Sequence, residues 1–334
     1  MFQIHSRGTY RFRKRVLPHS IEMDLRSQLE KVGSQWKVRR DTELQQIAVS
    51  FLHNAWKNQG DPRYFPGPQP VSIERKHFTC FQKPYFVCEK SDGVRHVLMA
   101  FMYQGNKMCV LVNRALEVTL YPLSLPKISY EGTILDGELV EKLFLVYDAV
   151  LVSGINVANE NLVSRLTQAG KVVSAILRTV KDAFTVRMKT FFKLKDIEEF
   201  YEKYLPTLTY KTDGLVFTPV DEPVRSGTHE TLFKWKPCEK NTVDFLVKRN
   251  GTKWCLYVQE RGTLYFQGDV RAAPEWITDG CIAECQLVPG ESLWWKPIGL
   301  RTDKVHPNNR RTLYNTLTNI RENIQWREFI QGSE

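Results

Sequence analysis

At 334 residues, 42% hydrophobic and 12% aromatic, the chain is too apolar to be disordered and long enough for two domains with cores of their own. A net charge of +10 favours a polyanionic partner, whether nucleic acid, nucleotide or an acidic membrane face. Seven scattered cysteines complete neither a zinc set nor a disulfide framework, and no run reaches transmembrane or signal-peptide length, so the chain reads as soluble and intracellular without a membrane partner; a monomer is expected, though these features do not decide it.

Arg7, Arg11, Arg13, Lys14 and Arg15 open the chain, interleaved with Tyr10 and Phe12. That mix suits a nucleic-acid backbone, and equally an edge strand with one charged face. Leu44, Ile47, Val49 and Leu52 predict an amphipathic helix. The four prolines from Pro62 to Pro70 predict a rigid connector. Residues 1–60 are therefore read as a basic, helical appendage to a larger sheet domain.

From Tyr85 to Val157 strand patterns repeat. Two β-prone runs flank Lys90-Ser91-Asp92-Gly93, where Asp-Gly reads as a tight turn. Strands follow over Lys107–Arg114 and Leu116–Leu120, then over Ile134–Val140 with a second Asp-Gly turn. Leu143–Val152 is an apolar run broken only by Asp148, which must be paired or face a cleft. A helix is expected from Asn159 to about Asp182, then the short basic strand Arg187-Met188-Lys189. A second helix capped by Asp196 comes next, and then strands at Thr212–Thr218 and Leu232–Pro237. About five short strands between Thr242 and Ile298 suggest a small Greek-key barrel of the oligonucleotide-binding (OB) kind. A final helix carries Leu313, Leu317, Ile320 and Ile324 on one stripe. The domain reading is thus 61–238, 239–310, and a helix over 311–330 returning toward the first domain.

The polar residues gather at strand edges. Lys90 stands apart as an amine nucleophile, and Arg95 as a holder of phosphate that also disfavours a charged neighbouring amine. With Arg114, Glu138, Tyr147, Lys189, Asp213, Lys234, Lys236, Arg301, Asp303 and Lys304 they supply cations, and carboxylates able to hold a divalent ion. That is the inventory of phosphoryl-type transfer from a nucleotide. Each motif alone is also what a surface hairpin, a strand end or a core tyrosine produces; their order along the chain is what singles them out.

Six segments carry a family resemblance: Lys90-Ser91-Asp92-Gly93-Val94-Arg95, Leu135-Asp136-Gly137-Glu138-Leu139, Phe144-Leu145-Val146-Tyr147-Asp148, Thr212-Asp213-Gly214-Leu215-Val216, Leu232-Phe233-Lys234-Trp235-Lys236-Pro237 and Arg301-Thr302-Asp303-Lys304. In this order they resemble the covalent nucleotidyltransferase superfamily, which joins mRNA capping guanylyltransferases with ATP-dependent DNA and RNA ligases. The last segment has the capping form, and the stretch from Pro66 to Lys76 is similar to the compact capping guanylyltransferases of chlorella viruses. The resemblance runs from about Phe65 to Phe329.

It implies an α+β fold: a nucleotidyltransferase (ATP-grasp-like) domain of antiparallel sheets plus a C-terminal OB-fold β-barrel. It implies mRNA guanylyltransferase activity, in which Lys90 carries GMP from GTP to the 5′-diphosphate end of RNA. Arg114 and Glu138 would hold the ribose, Tyr147 would stack on guanine, and Lys189 would read the base edge. Asp213 would hold Mg2+ or Mn2+, with Lys234 and Lys236 on the α-phosphate. Arg301, Asp303 and Lys304 would complete the GTP site as the barrel closes, near Asp244 at the hinge. An RNA triphosphatase, a cap methyltransferase and RNA polymerase are the implied partners, in a nucleus or a viral cytoplasmic factory. An ATP-dependent polynucleotide ligase and an inactive RNA-binding relative are the alternatives.

Overall fold

Alternation along Val94–Tyr103 (β5) builds the largest sheet. Val97, Met99 and Phe101 are buried in one core, and Leu98 and Ala100 in another on the opposite face. The strand therefore has no solvated side. The computed structural model describes residues 25–121, 123–179, 182–288, 294–302 and 304–331. In it this sheet has nine strands. In spatial order they are β1 (Leu29–Val32), β2 (Gln35–Val38), β7 (Val118–Leu120), β6 (Asn106–Asn113), β5, β8 (Thr133–Val140), β9 (Leu143–Val152) and β10 (Ile155–Asn156). A ninth, β11 (Thr185–Met188), runs parallel to β9. Helix α1 (Glu43–Ala55), capped by the Thr42 hydroxyl, lays Leu44, Ala48 and Leu52 on one face. Helix α2 (Leu162–Ser174), capped by Asn161, lays Ala169 and Val172 on the other.

A second sheet has the order β12 (Phe192–Lys193), β4 (Tyr85–Ser91), β13 (Thr212–Pro219), β14 (Thr228–Trp235), β3 (Gln69–Ser72). Its core is aromatic, with Phe81, Phe200, Phe217, Phe233 and Phe329 all buried. The third sheet runs β17 (Thr263–Asp269), β16 (Lys253–Glu260), β15 (Thr242–Asn250), β18 (Ile282–Val288), β19 (Trp294–Leu300). This is the strand order of an OB barrel whose last seam, β17 to β19, is in contact but not laddered.

Helix α3 (Arg310–Glu322) starts on the barrel, where Leu313 joins its core. The chain then returns to the second sheet, and Ile324 and Phe329, the latter from α4 (Glu328–Gln331), enter its core. Trp235 Nε1 donates to the Ile324 carbonyl at 2.8 Å and Trp326 stacks on Tyr201 at 4.4 Å. The last residues thus tie the barrel to the domain before it.

The structure corrects four expectations. Residues 29–55 are no appendage: Leu29, Val38 and the apolar face of α1 are buried against the nine-stranded sheet. The basic cluster Arg7–Arg15 lies outside the described residues. The proline-rich connector ends in a strand, β3, which tolerates Pro70 because it is an edge. The helix expected to reach Asp182 stops at Ser174, after which the Leu177 amide donates to the Ser124 carbonyl at 3.0 Å. Asp136-Gly137 is not a turn but mid-strand in β8, at a bulge against β9. A side chain at Gly137 would come within 2.7 Å of the Leu145 carbonyl, so glycine there serves close packing between strands.

Candidate active site

The crossing from β4 to β5 carries the chain from the second sheet to the first and sets Lys90 at the mouth of a cavity of about 510 Å3. Only glycine fits at position 93, since a Cβ there would lie 2.6 Å from the Leu139 carbonyl. Lys90 Nζ donates to both oxygens of Asp213, at 2.8 and 3.0 Å, and Lys236 Nζ pairs with the same carboxylate at 2.6 Å. Burial pushes the Asp213 carboxyl up, but the two ammoniums outweigh it and hold it below its ordinary range. Asp213 sits at a bulge in β13, next to Gly214, whose Cβ would meet the Trp235 carbonyl at 1.9 Å. Gly214→Ala is therefore expected to force β13 and β14 apart and to lower stability by about 3 kcal/mol. A urea midpoint equal to that of the unaltered chain would contradict this.

Lys234, which also lines the cavity, has its pKa lowered to about 8 by burial and by the charges of Lys90 and Lys236. Only the protonated amine carries a charge that could hold a phosphate, so that charge is present below pH 8 and fades as pH rises through it. The nucleotide transfer that the resemblance implies should accordingly show a descending limb in kcat/KM near pH 8 that Lys234→Arg moves upward. A profile that climbs steadily past pH 9 would show that Lys234 need not be charged.

Arg95 is not left free to grip phosphate. Its guanidinium binds Asp136 through two bonds, at 3.0 and 2.6 Å, donates to the Pro68 carbonyl at 2.6 Å and lies over the Phe65 ring. Burial disfavours its charge, yet Asp136 keeps its pKa above the ordinary arginine value. Asp136 also accepts from the Tyr147 hydroxyl at 2.8 Å, which fixes the ring at the cavity wall. Lys189 Nζ stands 5.5 Å from that ring's centroid and donates to the Glu89 carbonyl at 2.9 Å. Glu138 lines the same wall, and its carboxyl is pushed up by burial more than Lys189, Lys90 and Arg95 pull it down. Arg114 bonds Gln69 at the rim.

One cavity thus gathers Lys90, Arg95, Arg114, Glu138, Tyr147, Lys189, Lys234 and Lys236, with Asp213 bonded to two of them. It does not gather the barrel residues. Arg301 and Lys304 converge instead on buried Asp244, Arg301 at 2.9 and 3.0 Å. Asp303 lies outside the described residues. Sequence reasoning missed Asp136, Glu89 and Gln69. Asp136 carried the same signal as Asp148, a carboxylate inside an apolar strand, but its Asp-Gly pairing masked it. Asp148 itself is paired as expected, with buried Arg165 at 2.7 and 3.0 Å.

The family model of the mRNA capping enzyme, catalytic domain, matches residues 29–238, more than half of the chain, starting at β1. The mRNA-capping enzyme subunit alpha of Schizosaccharomyces pombe is 33% identical over 217 residues, covering 56% of this chain and 54% of that protein. The protein of the same description from Yarrowia lipolytica is 28% identical over 324 residues, covering 80% and 82%. The chain spans about half the length of most of the curated relatives it matches. Among solved structures, a mycobacterial DNA ligase D complexed with ATP and MES is a loose likeness, 13% identical with a TM-score of 0.43, covering 72% of this chain and 95% of that one. The match from β1 onward also moves the start of the resemblance from Phe65 to residue 29. On the family match and the six collinear motifs, this chain belongs to the mRNA capping enzyme catalytic-domain family.

Proposed function

We propose that the chain is an mRNA guanylyltransferase working through a lysyl-GMP intermediate. The observation that carries the reading is the placement of one amine, Lys90, beside Lys234 and Lys236 at a cavity whose wall holds Glu138, Tyr147 and Lys189. Attack needs a neutral amine, so the hydrogen bonds from Lys90 to Asp213 open first. The Lys90 nitrogen then bonds to the α-phosphorus of GTP as the bond to pyrophosphate breaks, and the amine proton is lost. In the second step a β-phosphate oxygen of a diphosphate-ended RNA forms the new P–O bond, the N–P bond breaks, and Lys90 takes up a proton.

Lys234 and Lys236 stabilise the charge developing on the α-phosphate, while Tyr147 and Lys189 hold the base and Glu138 and Arg114 the ribose. No group of three or more His, Cys, Asp or Glu gathers to cage a metal among the described residues. Asp213 fits a Mg2+ or Mn2+ ion that arrives on the nucleotide phosphates and would neutralise their charge, because such ions need only one or two carboxylates plus substrate oxygens and water. Arg301 and Lys304, now on Asp244, would turn to the outer phosphates when the barrel closes.

The relatives from Schizosaccharomyces pombe and Yarrowia lipolytica are named as a subunit alpha, which supports a separate partner subunit for this chain too; the RNA triphosphatase that the resemblance implies would be that partner. A cap methyltransferase and RNA polymerase would be the further partners, in a nucleus or a viral factory. No helix among the described residues is long and apolar enough to cross a membrane.

The test is incubation of the protein with a divalent ion and α-labelled GTP or ATP, followed by a denaturing gel. Label from GTP alone is the expected result. Label from ATP alone would make it a ligase, and none from either would leave an inactive relative.

A further inference from the structure

A second cavity of about 480 Å3 shares a wall with the first: Gln69, Pro70, Lys234 and Lys236 line both. The segment that carries Lys234 and Lys236 thus borders two spaces, and the nucleotide accounts for only one. The second space is bounded by β3 and the turn after it, by the 238–242 link to the barrel, and by α3.

Its lining is largely polar, with more cations than acids. Helix α3 turns Thr312, Asn315, Thr316 and Asn319 into it, a spacing that places all four on one stripe. Asn319 is fixed by its bond to the Ile73 carbonyl at 2.7 Å, which holds the helix against the end of β3. Arg311 lines the α3 side and Lys76 the opposite one, the latter 2.8 Å from Glu74; Glu230 is the other acid in the lining. Amides and hydroxyls suit ribose 2′-hydroxyls and base edges, and the cations suit phosphates.

We propose that this cavity receives the 5′ end of the acceptor RNA, an inference that rests on the guanylyltransferase reading. The second step demands it: while GMP fills the first cavity, the acceptor's phosphate must reach the same phosphorus held in position by the protein. A space that borders Lys234 and Lys236 yet leaves Glu138, Tyr147 and Lys189 to the nucleotide meets that demand. Arg311 and the α3 stripe then hold the first nucleotides, and act in the second step only.

The test uses the full chain and two variants, Arg311→Glu and the pair Asn315→Ala with Thr316→Ala. Label from GTP is measured first. The labelled protein is then given a short diphosphate-ended RNA below saturation, across a salt series. Labelling is expected to be unchanged in both variants. Transfer should slow by about tenfold in Arg311→Glu, with a log–log salt slope shallower by about one, and Arg311→Lys should restore both. The paired variant should slow transfer with its salt slope unchanged. Unaltered transfer in both would overturn the site. So would a loss of labelling in Arg311→Glu at an unchanged melting temperature, which would give the cavity to the nucleotide step. An unaltered chain that takes no label at all overturns both proposals, and so tells failure of the reaction apart from failure of the site.

Discussion

Lys90→Ala and Lys90→Arg should both abolish covalent labelling by GTP, lowering it by at least about four orders of magnitude. The two substitutions fail for different reasons, and the pair is informative for that. Alanine removes the nucleophile and one of the two cations on Asp213. Arginine keeps a cation there, and so keeps the local charge balance, but its guanidinium is not deprotonated near neutral pH and cannot attack phosphorus. Lys90→Arg should therefore melt close to the unaltered chain while remaining unlabelled. Label retained in Lys90→Arg would mean that another side chain is the nucleophile. Lys234, whose pKa burial and the neighbouring ammoniums lower to about 8, would be the first to examine.

Asp136→Ala should be the most destabilising single change at the site, by about 3–5 kcal/mol, because it strands the Arg95 charge where its side chain is only 9% exposed. It also takes the acceptor from the Tyr147 hydroxyl, so the ring that lines the cavity beside Lys90 loses its anchor. The double variant Arg95→Met with Asp136→Leu separates the two effects. Removing both charges should recover most of the stability. It should leave labelling weak at low GTP, since Tyr147 is still unanchored. Urea denaturation of the three proteins measures the first effect, and labelling against GTP concentration the second. If Asp136→Ala unfolds within about 1 kcal/mol of the unaltered chain, the pair is not a buried brace.

These two sites show where sequence reasoning was sufficient and where it was not. Lys90 was legible because its surroundings are local: two β-prone runs, an Asp-Gly turn between them, and short distances along the chain. The same holds for α1, for β9, and for the five barrel strands, where periodicity and turn residues act over fewer than ten residues at a time. Arg95 was legible as a cation but not in its role. Its partner Asp136 lies 41 positions away, on a neighbouring strand, and the pairing of β5 with β8 is what brings them together. The same crossing of distant strands joins Lys90 to Asp213 through β4 and β13, and Lys189 to Glu89.

By itself the sequence determined the β-prone runs on either side of Lys90, the order of the polar segments, and the turn glycine at 93. Each of these comes from the shape or charge of a residue and its near neighbours. Only the tertiary structure decided which carboxylate holds which cation. It placed Asp136 on Arg95, Asp213 on Lys90 and Lys236, and Asp244 on Arg301 and Lys304. It also decided that residues 29–55 belong to the sheet and that a second cavity opens on Lys234. The reason is physical: Coulomb attraction and burial depend on distance in space and on exclusion of water, and neither is set until the strands have paired.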